Sequence, residues 1–375
     1  MAHISRVLAR YFPEGGVSGI TELTSGNVHD TFLVSLDSDD KKMILQRIND
    51  RVFRQPDLLM ENMRRVADYL SQQYRRDGHE TARGLEPVHH CRTLDGQDYV
   101  IDEKGCYWRG LEYIAGATGY DRIKDPEHAL EAGRALGAFH RLLAGLEQKK
   151  LHDILPGFHR VPEYLAQYDK ILAARSTAAS PETEFCKAFI QERRKWASVL
   201  EDAKRDNILR QRIIHGDPKI SNVLIDDQDG RARALIDLDT VSVGLIHYDI
   251  GDCLRSCCNT SGEETTSFTD VSFDLTLCRR ILTGYRAEAA AILNRHDVVY
   301  MYDCIRLLAF ELGLRFFTDH LTGDRYFKVA YRGNNLCRAM VQFALTVSIE
   351  KQETAIRSLC DQLFFNGGDR AFLEA

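Results

Sequence analysis

The chain has 375 residues, yet no apolar run approaches the ~20 residues that a membrane-spanning helix needs. A basic excess is also lacking: 49 Lys and Arg face 55 Asp and Glu, a formal net charge of −6. That balance speaks against a nucleic-acid binder working through bulk electrostatics. The opening segment, MAHISRVLARYFPEGG, holds no apolar stretch long enough for a secretion signal. The ten cysteines include no C-x-x-C and no Cys/His spacing of a zinc site. Reduced thiols in a cytoplasmic protein are therefore expected, the Cys257-Cys258 cluster included. No internal repeat or low-complexity stretch is evident. What is present is ordinary for a globular chain, 44% hydrophobic and 28% charged, which rules out disorder as the main state. A single core stops growing near ~250–300 residues, so two lobes are expected.

The first hundred residues alternate. Thr31-Phe32-Leu33-Val34-Ser35-Leu36 and Lys42-Met43-Ile44-Leu45-Gln46-Arg47 flank a polar turn, predicting a hairpin. A helix is predicted over 57–69, with Leu58, Leu59, Asn62, Val66 and Tyr69 at helical spacing. Strand-like material recurs around 92–101 and 106–114. After Gly116 the pattern turns helical. Asp125-Pro126-Glu127 is a helix start, with a cap, a first-turn proline and an acid that complements the dipole. Further helices are predicted over 181–202, 275–293, 298–319 and 335–350, with a short β segment near 223–238.

The segment 213–255 is chemically the richest. His215-Gly216-Asp217 follows two isoleucines, and Asn222 lies five residues after Asp217. Residue numbers across an antiparallel ladder sum to a constant. A tight turn centred on Asp229-Gly230 would set Asn222 opposite Asp237. An amide oxygen and a carboxylate so placed are hard ligands that suit Mg²⁺ on phosphates. Asp217 is positioned to accept a proton from an attacking hydroxyl, and Lys219 adds a cation. Read alone, Asp217 is a turn residue, Asp229-Gly230 a hairpin and Asp237 a solvated strand end. Read together they make a phosphoryl-transfer constellation.

His215-Gly216-Asp217-Pro218-Lys219-Ile220-Ser221-Asn222 resembles the H-x-D-x-x-x-x-N catalytic loop of protein-kinase-like enzymes. With Ile236-Asp237-Leu238-Asp239 and Tyr248-Asp249-Ile250-Gly251-Asp252, the chain resembles the aminoglycoside phosphotransferase/choline kinase family. Ile44-Leu45-Gln46, Trp108-Arg109, Glu311-Leu312-Gly313-Leu314-Arg315-Phe316 and Gly323-Asp324-Arg325-Tyr326-Phe327 are similar to its N-acetylhexosamine 1-kinase branch. The resemblance implies an α+β, protein-kinase-like bilobal fold. A small antiparallel-sheet lobe would span 1–114 and a large, mainly helical lobe 115–375, with the site between them. It also implies a kinase using ATP and Mg²⁺ to phosphorylate the anomeric hydroxyl of an N-acetylhexosamine. ATP and a sugar would be its partners, with neither nucleic acid nor membrane among them.

Carried over by residue, Asp217 would orient and deprotonate the sugar hydroxyl, and Asn222 and Asp237 would hold Mg²⁺. Lys219 would lie near the transferred phosphate; read alone it is a solvated lysine. Asp249 would brace the loop, and His215 would be structural. The 24–31 segment corresponds to a phosphate-covering loop. The hexosamine kinases have His and then Asn there, whereas Asn27 and His29 stand in swapped order, leaving their sugar contacts open. Gln46 occupies the position of the nucleotide-gripping lysine, and Arg47 points to the other face. Glu112 and Ile114, in the connector Leu111-Glu112-Tyr113-Ile114, would offer backbone groups to adenine; an ordinary strand fits the same pattern. Arg315 follows Glu311 by four residues, which suits an intrahelical ion pair or, by resemblance, contacts to sugar oxygens, with Tyr326 on the same sugar. Two rivals stay open. One is a kinase for an aminoglycoside, choline or another amino-sugar derivative, which would need an acidic pocket for a cationic acceptor. The other is a pseudokinase, which intact Asp217, Asn222 and Asp237 disfavour.

Overall fold

The computed structural model describes residues 2–13, 16–23, 28–37, 41–76, 85–174 and 180–365. Helix α1 (Ala2–Leu8), which no sequence signal marked, precedes a six-stranded antiparallel sheet. Its strands are β1 (Val17–Leu23), β2 (Asp30–Leu36), β3 (Lys42–Arg47), β4 (His90–Cys91), β5 (Val100–Ile101) and β6 (Tyr107–Glu112). The order is β1-β2-β3-β6-β4, with β5 also on β6. β2 and β3 are the predicted hairpin, in a register that sets Thr31 opposite Gln46 and Phe32 opposite Leu45. Alternation sends Val34, Met43, Leu45 and Trp108 to one face, where Val7, Leu8 and Tyr11 close a small core.

Helix α2 (Pro56–Arg76) runs longer than predicted. Met63, Val66 and Leu70 on its apolar face join the large core of the helical region, as do Leu111 and Ile114. Asn62, on the same stripe, is buried but satisfied: it donates to His152 O and accepts from His152 N, both at 2.9 Å. Past β7 (Ala117–Gly119), helix α3 (Pro126–Leu143) starts where predicted, with Asp125 accepting from the N–H groups of Glu127 and His128. Helices α4 (Val161–Ala174), α5 (Pro181–Arg193) and α6 (Val199–Arg205) follow. The predicted 181–202 helix is thus two helices. A 3₁₀ turn at Arg194–Trp196 separates them and carries Trp196 onto Phe310, ring centroids 5.1 Å apart.

The β segments of this region are β8 (Arg212–Ile214), β9 (Val223–Asp226), β10 (Ala232–Leu235) and β11 (Ser242–Gly244). β10, β9 and β7 form one small sheet, and β8 pairs with β11. The remaining helices are α7 (Ile246–Cys257), α8 (Leu275–Ala289), α9 (Arg295–Val299), α10 (Met301–Thr322), α11 (Asn334–Lys351) and α12 (Glu353–Phe364). α3 and α8 touch backbone to backbone: a Cβ at Gly284 would lie 2.0 Å from Leu130 O. Among the described residues no helix is long and apolar enough to cross a membrane, and the ten cysteines are free. The result is the bilobal α+β fold that the resemblance implied, a sheet-rich N-terminal region and a helical C-terminal one.

Candidate active site

β8 delivers the chain into a loop that is held from three sides. Gly216 has φ +88°, and a Cβ there would sit 2.7 Å from Thr240 O, so only glycine fits. Asp249, fully buried on α7, accepts from His215 N (2.7 Å), Gly216 N (2.8 Å) and His140 Nε2 (2.8 Å). Burial alone would raise its carboxyl; the His140 bond and the His215 neighbourhood instead hold it below the usual range. His215 is buried with Nε2 on Ile236 O (3.0 Å), and Thr240 Oγ1 donates to His215 O (2.7 Å). The loop is thereby fastened to the segment that carries Asp237.

Asp217 and Lys219 pair at 2.7 Å, both partly exposed. Burial opposes the Lys219 charge, but Asp217 and Asp237 outweigh it and hold the ammonium above its usual range. Asn222 Nδ2 donates to Asp217 O at 2.7 Å, which leaves its Oδ1 uncommitted among the described residues.

The expected Asn222–Asp237 pairing needs a correction of one position. The turn covers four residues, because Asp226 N reaches Arg231 O and the Asp226 carboxylate accepts from Gln228 N and Asp229 N. A bulge between Ala232 and Ala234 recovers one place, so Val223 faces Leu235 and Asn222 O accepts from Ile236 N. Asp237 falls just past the ladder in the left-handed conformation, φ 66°. The residue is solvent-exposed. Desolvation there, with Asp239 and Asp217 nearby, pushes its carboxyl up, and Lys219 opposes. A hard divalent cation between Asn222 Oδ1 and Asp237 would offset that crowding. No group of three or more His, Cys, Asp or Glu forms a metal cluster among the described residues. Such a cation would thus take its other oxygens from phosphates and water, as Mg²⁺ does.

Beside Asp237 lies a buried network that joins Arg109 and Asp239, which had no expected role, to Gln46 and His29, which were expected at the nucleotide and the sugar. Arg109 on β6, 1% exposed, reaches Asp239 Oδ1 through Nη1 (2.6 Å) and Oδ2 through Nη2 (2.8 Å). Its Nε and Nη2 also donate to Gln46 Oε1 (2.9 and 2.7 Å), and Gln46 Nε2 donates to Thr31 Oγ1 (3.2 Å). His29 accepts from Asn49 N at Nδ1 (3.1 Å), so its Nε2 carries the proton donated to Asp239. Burial works against the Asp239 charge, yet Arg109 and His29 hold its carboxyl far below the usual range. Both polar ends of Gln46 are therefore engaged, Arg47 pairs with Asp30 at the surface, and His29 is buried against Phe53. Asn27 lies outside the described residues. Glu112 N donates to His89 O at 2.9 Å, and Ile114 is buried where β6 leads into the helical region.

Arg315 lines a cavity of about 1350 Å³. Phe158, Tyr164, Tyr326 and Phe327 ring its guanidinium, 5.1 to 5.9 Å from each centroid. The intrahelical pair with Glu311 exists but is long, 3.4 Å. Glu311 is buried and has a second partner, His159 Nδ1 at 3.1 Å, while His159 Nε2 donates to Gly216 O at 2.8 Å. Burial alone would strip the His159 proton; Glu311 and the Gly216 carbonyl reverse this and raise its pKa above the usual value. Arg315, Glu311 and His159 thus form a chain that ends one residue from Asp217. Nothing in the sequence around His159 signals this.

A sheet-rich lobe over a helical lobe, with an Asp/Lys/Asn loop at their junction, is the architecture of protein-kinase-like phosphotransferases. The sequence profile of the APH phosphotransferase enzyme family matches residues 19–291, most of the chain, and the protein belongs to that family. Solved structures of the same fold include a choline kinase from Cryptosporidium parvum (TM-score 0.61, 13% identity, 97% of this chain and 100% of that one). A microcompartment-associated aminopropanol kinase is similar (TM-score 0.57, 15% identity, 95% and 99%). So is a spectinomycin phosphotransferase in complex with ADP and spectinomycin (TM-score 0.53, 11% identity, 89% and 94%). At these identities the likeness is one of fold.

Proposed function

We propose that this phosphotransferase is an ATP-dependent kinase that phosphorylates the anomeric hydroxyl of an N-acetylhexosamine. The observation that carries this reading is the acceptor-side cavity, which joins Asp217 through Gly216, His159 and Glu311 and presents Arg315 within its aromatic ring. Both carboxylates that line it are engaged. Asp319 accepts from the N–H groups of Arg325, Tyr326 and Phe327, and Asp324 accepts from Asn335. The relatives named above carry choline, aminopropanol and spectinomycin in their names. A cationic acceptor of that kind would meet arginine here instead of a free acid. An oxygen-rich neutral sugar suits guanidinium donors and ring faces.

In this reading Asp217 accepts the proton of the anomeric hydroxyl as its oxygen attacks the γ-phosphorus in line. Lys219, held by Asp217, lies beside the transferred group. Asn222 and Asp237 hold the metal, and bound Mg²⁺ neutralises phosphate charge. Asp249 and His215 keep the loop in place, and Gln46, committed to Arg109, braces the sheet over the phosphates. The backbone of Glu112 and Ile114 borders the adenine. Arg315 and Tyr326 take the sugar, while His29, bonded to Asp239, belongs to the brace between the lobes. The hinge between lobes falls near residue 114, and the enzyme works in the cytoplasm. Purified protein with ATP, Mg²⁺ and a panel of sugars, choline and aminoglycosides tests this. ADP release with an N-acetylhexosamine is expected, and Asp217→Asn is expected to lower kcat about 10²–10⁴-fold. Turnover confined to choline or an aminoglycoside would remove the sugar reading. Full turnover by Asp217→Asn would remove the base.

A further inference from the structure

The charge of the acceptor-side cavity runs against that of the whole chain. The protein carries a net −6, yet the cavity is lined by Arg51, Arg54, Arg315, Arg325 and Lys328. The two lining acids are outnumbered, and Asp319 and Asp324 accept from backbone N–H groups and Asn335. Arg51, Arg54 and Arg325 are exposed, and among the described residues none of their side chains has a carboxylate or hydrogen-bond partner. Other exposed arginines are either paired, such as Arg6 with Glu103 and Arg10 with Asp95, or scattered, such as Arg210 and Arg295, whereas these three line one cavity together with Arg315. Size points the same way. Small-molecule pockets typically measure about 300–1,000 Å³, and this space is about 1350 Å³. A single neutral hexosamine held against Arg315 would leave much of the cavity, and all three unpaired arginines, without a ligand group.

We propose that the acceptor carries an acidic substituent, a carboxylate, sulfate or phosphate, on the part of the sugar away from its anomeric carbon, and that Arg51, Arg54 and Arg325 receive it. The inference rests on the hexosamine reading, which requires the anomeric hydroxyl to face Asp217. Any extension must then leave from the ring hydroxyls or the acyl group and point out into the cavity. Two of the arginines come from the segment after β3 and one from the loop after α10. An anion between them would draw the two regions together over the sugar. Because the arginines are solvated, the attraction is long-ranged and screened by salt.

The test compares kcat/KM for N-acetylglucosamine, its 3-O-lactyl ether (carboxylate) and its 6-O-sulfate, with saturating ATP and Mg²⁺. At low salt at least one acid is expected to exceed the neutral parent about tenfold. That advantage is expected to shrink in about 1 M salt, where the Debye length is about 3 Å. In the R51Q/R54Q/R325Q variant, with its fold checked by circular dichroism and thermal melting, the acid-to-neutral ratio is expected to fall to about one. The arm that responds, carboxylate or sulfate, identifies the substituent. A neutral sugar that outperforms both acids, or an acid advantage that survives the triple substitution, overturns the inference and leaves the kinase reading standing. Absence of ADP release with every sugar overturns the hexosamine reading, and this inference with it.

Discussion

Replacing Asp239 by alanine tests whether the buried network holds the two lobes in one arrangement. Arg109 is 1% exposed and Asp239 3%, so the variant leaves a guanidinium charged and desolvated. It loses the contacts at 2.6 and 2.8 Å, and His29 loses its acceptor. Breaking a buried pair from one side costs about 3–5 kcal/mol. Arg109 keeps two bonds to Gln46 Oε1 (2.9 and 2.7 Å), which places the expected loss near the lower end, about 3 kcal/mol. That is a large share of a typical domain stability of about 5–15 kcal/mol. Removing both charges, by Arg109→Met with Asp239→Leu, is expected to recover most of it, since the desolvation cost goes with the pair. Urea unfolding of Arg109→Met, Asp239→Leu and their combination measures the coupling. The KM for ATP supplies a second readout, because the network joins β2, β3 and β6 to the turn after Asp237. An Asp239→Ala loss below about 1 kcal/mol, or a double variant as unstable as the two singles summed, would refute the reasoning.

Asp249→Asn substitutes one acceptor and an N–H₂ for a carboxylate that serves two backbone N–H groups and His140. It should cost about 1–3 kcal/mol and lower kcat more than it raises the KM for ATP; unchanged kcat would count against the brace. Asp102 accepts from Trp108 Nε1 (2.7 Å), Lys104 N (2.8 Å), Cys106 N (3.0 Å) and His3. Burial works to raise its carboxyl, but these donors lower it to about 2. The depressed group contributes about 2 kcal/mol that is present above about pH 4 and is lost as pH falls toward 2. Asp102→Asn should flatten the acid limb of the stability curve, and an unaltered limb would be a contrary result. Gly284→Ala drives a Cβ into Leu130 O, so α3 and α8 must separate; a loss of about 1–3 kcal/mol in urea is expected, and a change within about 0.5 kcal/mol would mean the helices yield freely.

Much of the fold was legible because its signals are local. Alternation marked β2 and β3, and Asp125-Pro126-Glu127 marked the start of α3. The loop 215–222 carries Asp217, Lys219 and Asn222 within eight residues, so their proximity follows from the chain itself. The register of β9 on β10 was legible only to within one position. It depends on an Asp226 side chain that widens the turn and on a bulge, neither of which residue counting resolves. The break inside 181–202 was missed because helical spacing persists across a 3₁₀ turn, and that inside 298–319 because one residue, Tyr300, separates α9 from α10.

The sequence by itself determined the lobes' character, the glycine that lets the 215–222 loop turn and the order of its polar residues, since neighbours along the chain decide these through backbone geometry. Only the tertiary structure decided which distant charges meet. Arg109 and Asp239 are 130 residues apart, His29 and Asp239 are 210 apart, and His159 is 152 from Glu311. Each residue alone reads as an ordinary surface charge. Burial turns them into obligatory pairs, because a desolvated charge is tolerated only where the fold supplies its partner.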